Sequence, residues 1–390
     1  MRPRVASSAE AVPHSRIREL AELAMSMEGV LRLYFGESNL PTPEFIQQAA
    51  VRALREGYTF YTENAGLPSL RQALAGYYRR LHGVELDPAS EIVVTASGVQ
   101  ALCVSLRCLL DPGDEALVLT PAWPNGSAIV AMANAVPRQI PHPLCGDRYQ
   151  IDFDALARAV TPRTRLVLYT SPSNPLGWVA TEEEQRRLLE FSRERGLWLV
   201  ADEVYERIWY GGAPGEPAPS MLRLATRDDA LVVIQSFSKS YCMTGWRVGW
   251  LVGRRDVARR AAQLNEFIVS HAPSFAQKAA EAALEGGEGE IAAMVARLKE
   301  NRDLCLEALR RMPGVTVPVP AGAFYVFPRI AAAEDSFEFC RRLLLEKRVG
   351  LAPGVAFGAG GEGCVRICFA VERGILEEAM ARLEEVLGTA

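Results

Sequence analysis

The chain has 390 residues, of which 49% are apolar and 23% are charged, and its formal net charge is −4 at pH 7. This composition is typical of a globular protein of two or three domains. The negative net charge gives no basic surface for binding nucleic acid. No apolar run approaches the roughly 18 residues that a membrane span needs. The basic start at residues 1–4 lacks the apolar core of a secretory signal, so the cytoplasm is the expected location.

The eight cysteines are scattered and form no CxxC pair. Cys364 and Cys368 alternate with apolar neighbours in a strand-like segment. Buried free thiols in a reducing compartment explain this pattern better than metal ligands do. The four histidines do not pair at ligand spacing either, so no metal site is expected.

The middle of the chain alternates short apolar runs with helical patterns. The clearest helix is predicted to begin at Thr181, where Glu184 completes a capping box, and to end before Gly196. The apolar runs are nearly continuous, as expected of strands buried on both faces. Strands are predicted at residues 91–95, 116–120, 166–170, 198–201, 231–235 and 248–252. This alternation predicts an α/β fold with a mostly parallel sheet between helices. The glycine- and proline-rich segment 211–220 is predicted to be a surface loop.

The pattern changes after about residue 285. A long amphipathic helix is predicted near residues 290–311, and the remaining segments predict a smaller α+β domain. The other predicted elements there are strands near 324–327 and 365–369 and helices near 336–347 and 375–387. The first 40 or so residues show no clear strand partner and are expected to pack against this domain or a second subunit. The predicted division is an N-terminal arm and part of the small domain at 1–45, a large domain at 46–285 and a small domain at 286–390.

The most informative stretch runs from Ser236 through Ser238 to Lys239, at the end of an apolar run, and Arg247 follows eight residues later. A lysine can form an imine with an aldehyde cofactor, and hydroxyl groups with a guanidinium can hold a phosphate dianion. These residues therefore point to pyridoxal phosphate (PLP), which acts as an electron sink. A solvated lysine after an edge strand is the alternative interpretation of this stretch alone.

Other distinctive residues also follow predicted strands, where open parallel sheets bind their ligands. Gly98 and Val99 open a helix after the first strand, and their small size lets backbone N–H groups approach an anion. Trp123 follows the second strand and could stack on a flat ring. Each of these has an ordinary alternative, an N-cap with glycine or a core tryptophan.

The next two strands are followed by polar residues. Asn174 could donate to a phenolate oxygen, although forming a turn is the usual role of an asparagine in such a segment. Asp202 follows four apolar residues and is costly to bury unless it meets a cation, such as a protonated pyridine nitrogen. Tyr205 could donate a hydrogen bond to the phenolate oxygen of the same ring. The alternative for Asp202 is an ordinary N-cap, and the alternative for Tyr205 is a core tyrosine. The order of these residues and their shared place at strand ends favour one cofactor site.

With these motifs the chain resembles a class I/II aminotransferase, a fold-type I PLP enzyme, from about residue 33 to residue 369. The resemblance implies a large PLP-binding domain with a mostly parallel seven-stranded sheet between helices, a smaller α+β domain and a homodimer with shared active sites. For the cofactor it implies a Schiff base at Lys239 and a contact between Asp202 and the pyridine nitrogen. It implies that Tyr205 and Asn174 contact the phenolic oxygen and that Trp123 stacks on the ring. The implied phosphate ligands are Ser236, Ser238, Arg247 and the backbone around Gly98 and Val99. It also implies that Tyr61 reaches the neighbouring subunit's phosphate, and that Gly36, Asn174 and Arg366 contact the substrate, Arg366 through its α-carboxylate.

Two motifs depart from the family pattern. The chain has Gly-Glu-Ser-Asn at 36–39 where the family commonly has G-E-P-D, and Ser-Pro-Ser-Asn-Pro-Leu-Gly at 171–177 where it commonly has N-P-x-N-P-T-G. Asn174 is kept, so the cofactor contact is still expected. The resemblance therefore extends to the reaction type and not to one amino acid.

The implied function is transamination, in which the amino group of an L-amino acid moves to a 2-oxo acid through the Lys239 Schiff base and a pyridoxamine phosphate intermediate. Lys239, Asp202 and Tyr205 are the expected catalytic residues, with Lys239 as the general base. A PLP-dependent lyase or decarboxylase on the same fold is the alternative. A PLP-sensing regulator is a remote one, because such proteins carry an extra DNA-binding domain and only about 30 residues precede the match.

Overall fold

Helices and strands alternate along the chain in this computed structural model, which describes residues 4–10, 12 and 14–388, with the backbone alone at residues 7 and 8. The strands are β1 (Leu31–Arg32), β2 (Ile92–Thr95), β3 (Glu115–Thr120), β4 (Val136–Pro141), β5 (Leu144–Cys145), β6 (Arg148–Tyr149), β7 (Thr164–Thr170), β8 (Trp198–Asp202), β9 (Leu231–Ser236), β10 (Gly249–Gly253), β11 (Val315–Thr316), β12 (Tyr325–Val326), β13 (Arg329–Ile330), β14 (Val349–Gly350), β15 (Ala352–Pro353) and β16 (Val365–Cys368). The helices are α1 (Ser7–Glu10), α2 (Arg16–Met25), α3 (Glu44–Arg55), α4 (Pro68–His82), α5 (Gly98–Leu109), α6 (Asn125–Met132), α7 (Phe153–Ala159), α8 (Glu182–Arg195), α9 (Phe237–Ser240), α10 (Arg255–Ile268), α11 (Ser274–Gly286), α12 (Glu288–Arg311), α13 (Ser336–Lys347) and α14 (Arg373–Leu387).

The central sheet has seven strands in the order β2-β10-β9-β8-β7-β3-β4. The pairs β9–β8, β8–β7, β7–β3 and β3–β4 are parallel, and β10 runs antiparallel to both of its neighbours. The prediction of a mostly parallel seven-stranded sheet is therefore confirmed. Because five neighbouring strands point the same way, their carboxyl ends meet along one edge, where a ligand can bind.

Alternate residues of the strands enter hydrophobic cores on opposite faces of the sheet, as the pleat requires. Leu117 and Leu199 pack on the face covered by α3, α4, α8 and α11, whereas Val118 and Val200 pack on the face covered by α5, α6 and α10. Both faces are thus buried, which explains why these strands are almost continuously apolar. Among the described residues, no helix is long and apolar enough to cross a bilayer.

One strand of the sheet was not predicted from its residues. β4 lies at the sheet edge and is mostly exposed, with Pro137 and Pro141 inside it and Arg138 and Gln139 between them. Prolines and charged residues are usual on edge strands. One side of an edge strand has no neighbour, so some of its backbone N–H groups need no strand partner and its side chains can be polar. The predicted capping box, by contrast, is confirmed: Thr181 and Glu184 exchange hydrogen bonds, and Gly196 ends α8 in the left-handed conformation.

A third hydrophobic core lies outside the large sheet. Helices α12, α13 and α14 surround a three-stranded sheet of order β12-β16-β15, so the smaller α+β arrangement after residue 285 is present. The expectation that the first 40 residues lack a strand partner is wrong, since β1 pairs in parallel with β14. The pair is only two residues long, too short to show a periodic pattern. The expectation that this segment packs against the small α+β body is confirmed, because α2 contacts α13, β14 and β15.

The eight cysteines, all within the described residues, are free. Cys305, Cys340, Cys364 and Cys368 are buried, as expected for small apolar side chains. Cys145 is exposed, so the expectation of burial is wrong for it. The segment 211–220 contains neither helix nor strand, as predicted.

Candidate active site

A cavity of about 440 Å³ opens beyond the carboxyl ends of β2, β3, β7 and β9. Most of the site residues predicted from the sequence share its wall: Gly36, Gly98, Val99, Trp123, Asn174, Tyr205, Ser236, Ser238, Lys239, Arg247 and Arg366. These residues come from both the large sheet and the small α+β body. The cavity therefore lies between the large sheet and the small α+β body, and polar side chains from both line it.

Lys239 lies on the short helix α9, directly after β9. Ser236 caps this helix by accepting a hydrogen bond from the backbone N–H of Ser238 at 3.1 Å. The Lys239 amine donates to the carbonyl oxygen of Gly36 at 2.6 Å. Burial lowers the pKa of Lys239 to about 8. A lysine with this pKa is a competent nucleophile and proton acceptor near neutral pH, because a useful fraction of it is uncharged.

Asp202 is the last residue of β8 and is 6% exposed. Its carboxylate accepts a long hydrogen bond from the Val204 backbone N–H at 3.3 Å, and no ion pair involves it among the described residues. Burial raises the pKa of Asp202 to about 6, while the charge of Lys239 acts in the opposite direction. A buried carboxylate with so little support favours a cationic ligand group beside it.

An anion-binding surface lies between β9 and the start of α5. The hydroxyl groups of Ser236 and Ser238 are 2.9 Å apart, and α5 begins at Gly98 with its free N–H groups near them. A Cβ at Gly98 would lie 3.2 Å from the Ser236 Cβ, which shows how closely the backbone approaches these hydroxyls. Arg247 lines the same cavity and pairs with no carboxylate within the described ranges. Hydroxyls, helix N–H groups and a guanidinium together suit a phosphate.

Arg366 lies in β16 and is 2% exposed. Its guanidinium donates to the Asn174 side-chain oxygen at 2.8 Å and to the Tyr34 carbonyl, and its Nε has no protein partner in the described part of the chain. The ring of Tyr325 is 4.5 Å away. Since no acidic side chain among the described residues balances this buried charge, the guanidinium is suited to bind a carboxylate from a ligand.

Tyr205 has a partner that sequence reasoning missed. Its hydroxyl lies 2.7 Å from that of Tyr325, and both side chains are buried. Tyr325 also lines the cavity. Its local sequence, Ala323-Phe324-Tyr325-Val326, is that of an apolar core strand and carries no sign of a site. Only the long-range contact reveals it.

The N-terminal segment also reaches the cavity, which sequence reasoning did not predict beyond Gly36. Ser15, Ile17 and Arg18 from the start of α2, together with Phe35, line its mouth. Tyr61, in contrast, does not line the cavity of its own chain. Its side chain is 90% exposed and contacts the ring of His271 edge-on.

Comparison with known proteins identifies the family. The sequence pattern described as aminotransferase class I and II matches residues 29–383. An aspartate aminotransferase of Pyrococcus horikoshii is 35% identical over 379 residues, which cover 96% of this chain and 95% of that protein. An aromatic-amino-acid aminotransferase 2 of Thermococcus litoralis is 34% identical over 381 residues, covering 97% of each.

A solved structure agrees with these relatives. The aspartate aminotransferase of Thermotoga maritima superposes with a TM-score of 0.91 at 33% identity, covering 98% of this chain and 100% of that one. The fold-type I architecture and the aminotransferase activity expected from the sequence are thereby confirmed, and the lyase, decarboxylase and regulator alternatives are not favoured. The chain belongs to the class I and II aminotransferase family.

Proposed function

We propose that this aminotransferase holds PLP at Lys239 and moves the amino group of an L-amino acid to a 2-oxo acid inside the cavity described above. One observation carries the proposal. The Lys239 amine, with a pKa of about 8, shares one cavity with the guanidinium of Arg366, which forms no ion pair within the described residues. The amine also lies close enough to the buried Asp202 carboxylate for its charge to lower the pKa of that group. An amine, a carboxylate-binding group and a partner for a ring cation are what transamination on this cofactor requires.

The residues present match the chemical groups of PLP. Ser236, Ser238, Arg247 and the first N–H groups of α5 would hold its phosphate, because they form the anion-binding surface. Asp202 would balance the protonated ring nitrogen, which removes the cost of its burial. The wall also presents Trp123 for stacking and Tyr205 and Asn174 for the phenolic oxygen.

The substrate would be positioned by the small α+β body. Arg366 binds the α-carboxylate and so orients the Cα–H bond, while the backbone of Gly36 lines the pocket. PLP supplies the electron sink that makes this proton acidic. The Lys239 amine would act as the general base at Cα, and its lowered pKa suits that task near neutral pH.

We also propose that the active site is completed by a second copy of the chain. Tyr61 belongs to an exposed group of large side chains that also includes Phe60, Phe267 and Ile268, which are 80%, 85% and 51% exposed. Exposed apolar side chains mark an interaction surface when they form one patch. The Asn265 side chain of α10 donates to the Asn64 carbonyl at 2.8 Å, which brings the segment of Tyr61 next to the end of α10. In a homodimer built on this surface, Tyr61 of one subunit would reach the phosphate held by the other.

The same proposal covers the domain division and the location. For the boundaries at 1–45, 46–285 and 286–390, the support is the packing of the helices, since α11 packs on α3 and α4 whereas α12 packs on α14. The cytoplasmic location stays a prediction. Aspartate and aromatic amino acids, named for two relatives, are the first donors to examine.

The test is a screen of the purified, PLP-loaded protein against the twenty amino acids with 2-oxoglutarate or pyruvate. We expect stoichiometric 2-oxo acid formation and no release of ammonia. Lys239→Ala should abolish turnover, while Lys278→Ala should not, because Lys278 pairs with Glu281 outside the cavity. Borohydride reduction followed by peptide mapping should place the cofactor on Lys239. A label at another lysine, or normal transamination by Lys239→Ala, would overturn the assignment.

A further inference from the structure

One cationic side chain in the wall of the active-site cavity has no role in the proposed function. The charged side chains that line it are Arg18, Lys239, Arg247 and Arg366, and the described residues contribute no aspartate or glutamate to this wall. The proposed function assigns Arg247 to the phosphate, Arg366 to the α-carboxylate and Lys239 to the cofactor link. It assigns no ligand group to Arg18.

Arg18 is exposed and differs from its neighbour Arg16 in its contacts. Arg16, on the same first turn of α2, pairs with Glu19 at 2.9 Å and lies 4.4 Å from the ring of Phe337. Arg18 has no ion-pair partner within the described residues, and its guanidinium lies 5.7 Å from the ring of Phe35, another residue of the cavity wall. Its charge is therefore available at the cavity mouth.

The start of α2 is held in place locally. The hydroxyl of Ser15 caps the helix by accepting a hydrogen bond from the Arg18 backbone N–H at 3.3 Å. This cap fixes where the helix begins, and therefore the turn from which the Arg18 side chain extends.

Arg18 and Arg366 also belong to one packed unit. Helix α2 packs against β15, and Ala352 of β15 is the direct register partner of Arg366 in β16. The helix that bears the first arginine therefore lies one strand away from the second. Their separation is set by packing inside this unit and does not depend on the large sheet.

We propose that Arg18 binds the second carboxylate of a dicarboxylic substrate, while Arg366 binds the first. The ligand class is the acidic amino acids and their 2-oxo acids, and the inference rests on the function proposed above. A second carboxylate at the mouth would neutralise the fourth cation of the wall. Ile17 and Phe35 would contact the methylene groups between the two carboxylates.

The test compares Arg18→Gln with Arg16→Gln as a matched control in the PLP-loaded enzyme. We expect Arg18→Gln to lower kcat/KM for L-aspartate or L-glutamate about 10- to 100-fold, mainly through KM, because a charge-assisted contact is lost. Its kcat/KM for L-alanine and L-phenylalanine should change less than about threefold. Arg18→Lys should recover part of the lost efficiency, and Arg16→Gln should behave as the wild type. Equal losses for acidic and neutral substrates, or no loss for either, would overturn the proposal.

A second measurement separates this inference from the proposed function. Maleate is a dicarboxylate that cannot react, so its binding to the PLP-loaded protein can be followed by calorimetry. We expect Arg18→Gln to weaken maleate binding about 10-fold or more and to leave acetate binding unchanged. Maleate binding that depends on Arg18 in a protein that converts no amino acid would support the carboxylate site and contradict the proposed function. Maleate binding that ignores Arg18 would contradict the inference alone.

Discussion

The hydroxyl groups of Tyr205 and Tyr325 lie 2.7 Å apart in a buried pair at the wall of the active-site cavity. Burial raises the pKa of both phenols, and the hydrogen bond with Tyr325 counteracts this rise at Tyr205. Either hydroxyl can donate across the pair. When Tyr325 donates, Tyr205 keeps its own O–H for a ligand and becomes a better donor.

Tyr325→Phe should therefore weaken Tyr205 as a hydrogen-bond donor to the cofactor's phenolic oxygen. The pH at which the visible band of the PLP-loaded protein titrates should rise, because more negative charge stays on that oxygen. A loss of about 1 kcal/mol corresponds to roughly 0.7 pH unit. The measurement is a spectrophotometric pH titration. Tyr210→Phe is the control, since it loses a hydrogen bond to the Ala323 carbonyl outside the cavity, and it should leave the midpoint unchanged.

The rate at which the cofactor-free protein takes up PLP should depend on the ionisation of Lys239. Only the uncharged amine attacks an aldehyde, and burial lowers the pKa of Lys239 to about 8 from a model-peptide value of 10.5. The rate should rise with pH and reach half of its plateau near pH 8, as followed by the growth of the visible band. A half-plateau near pH 10.5 would contradict the burial of this amine.

A stability prediction concerns Glu115 at the start of β3. Its carboxylate accepts hydrogen bonds from Arg138 at 2.9 Å, Thr161 at 2.7 Å and Arg163 at 2.9 Å. The hydrogen bond from Arg138, followed by that from Thr161, contributes most to lowering the pKa of Glu115 to about 2. Because the pKa is depressed in the folded state, this stabilisation is present above about pH 4.5 and is lost as the pH falls towards 2.

Glu115→Gln should lower the free energy of unfolding by about 1 kcal/mol at pH 7, a modest loss because the two guanidinium groups are half exposed. The difference in free energy of unfolding between the variant and the wild type should disappear as the pH falls from 4.5 to 2. Urea unfolding at several pH values measures it. Glu183→Gln, which breaks an exposed pair with Arg186, is the control and should cost less at every pH. A gap that does not change with pH would show that the charge of Glu115 is not responsible.

The sequence predicted the parts of the molecule whose position follows from local pattern. A strand buried on both faces must be apolar throughout, so six strands of the sheet were identified. The residues after those that run parallel to one another had to lie at one edge, whereas β10 runs the other way. Asp202 and Lys239 could be placed together for this reason. The edge strand β4 has the prolines and charges of a loop, and its pairing with β3 is visible only in the structure.

Residues that reach the cavity from elsewhere could not be predicted in this way. Arg18 lies on an amphipathic helix whose position depends on packing against α13 and β15. Tyr325 lies in a short strand whose neighbours are all apolar, so nothing local distinguishes it from the core. Both contribute to the site through contacts between residues more than a hundred positions apart in the chain, which no local spacing encodes.

The packing of α2 on β15 has a consequence for how this enzyme could change its preferences. Helix α2 determines the distance between Arg18 and Arg366, the two groups proposed to bind carboxylates. That distance would select substrates by the separation of their two carboxylates. A substitution that shifts α2 on β15 would change the preference between shorter and longer dicarboxylic acids. The residues proposed to bind the cofactor would keep their positions.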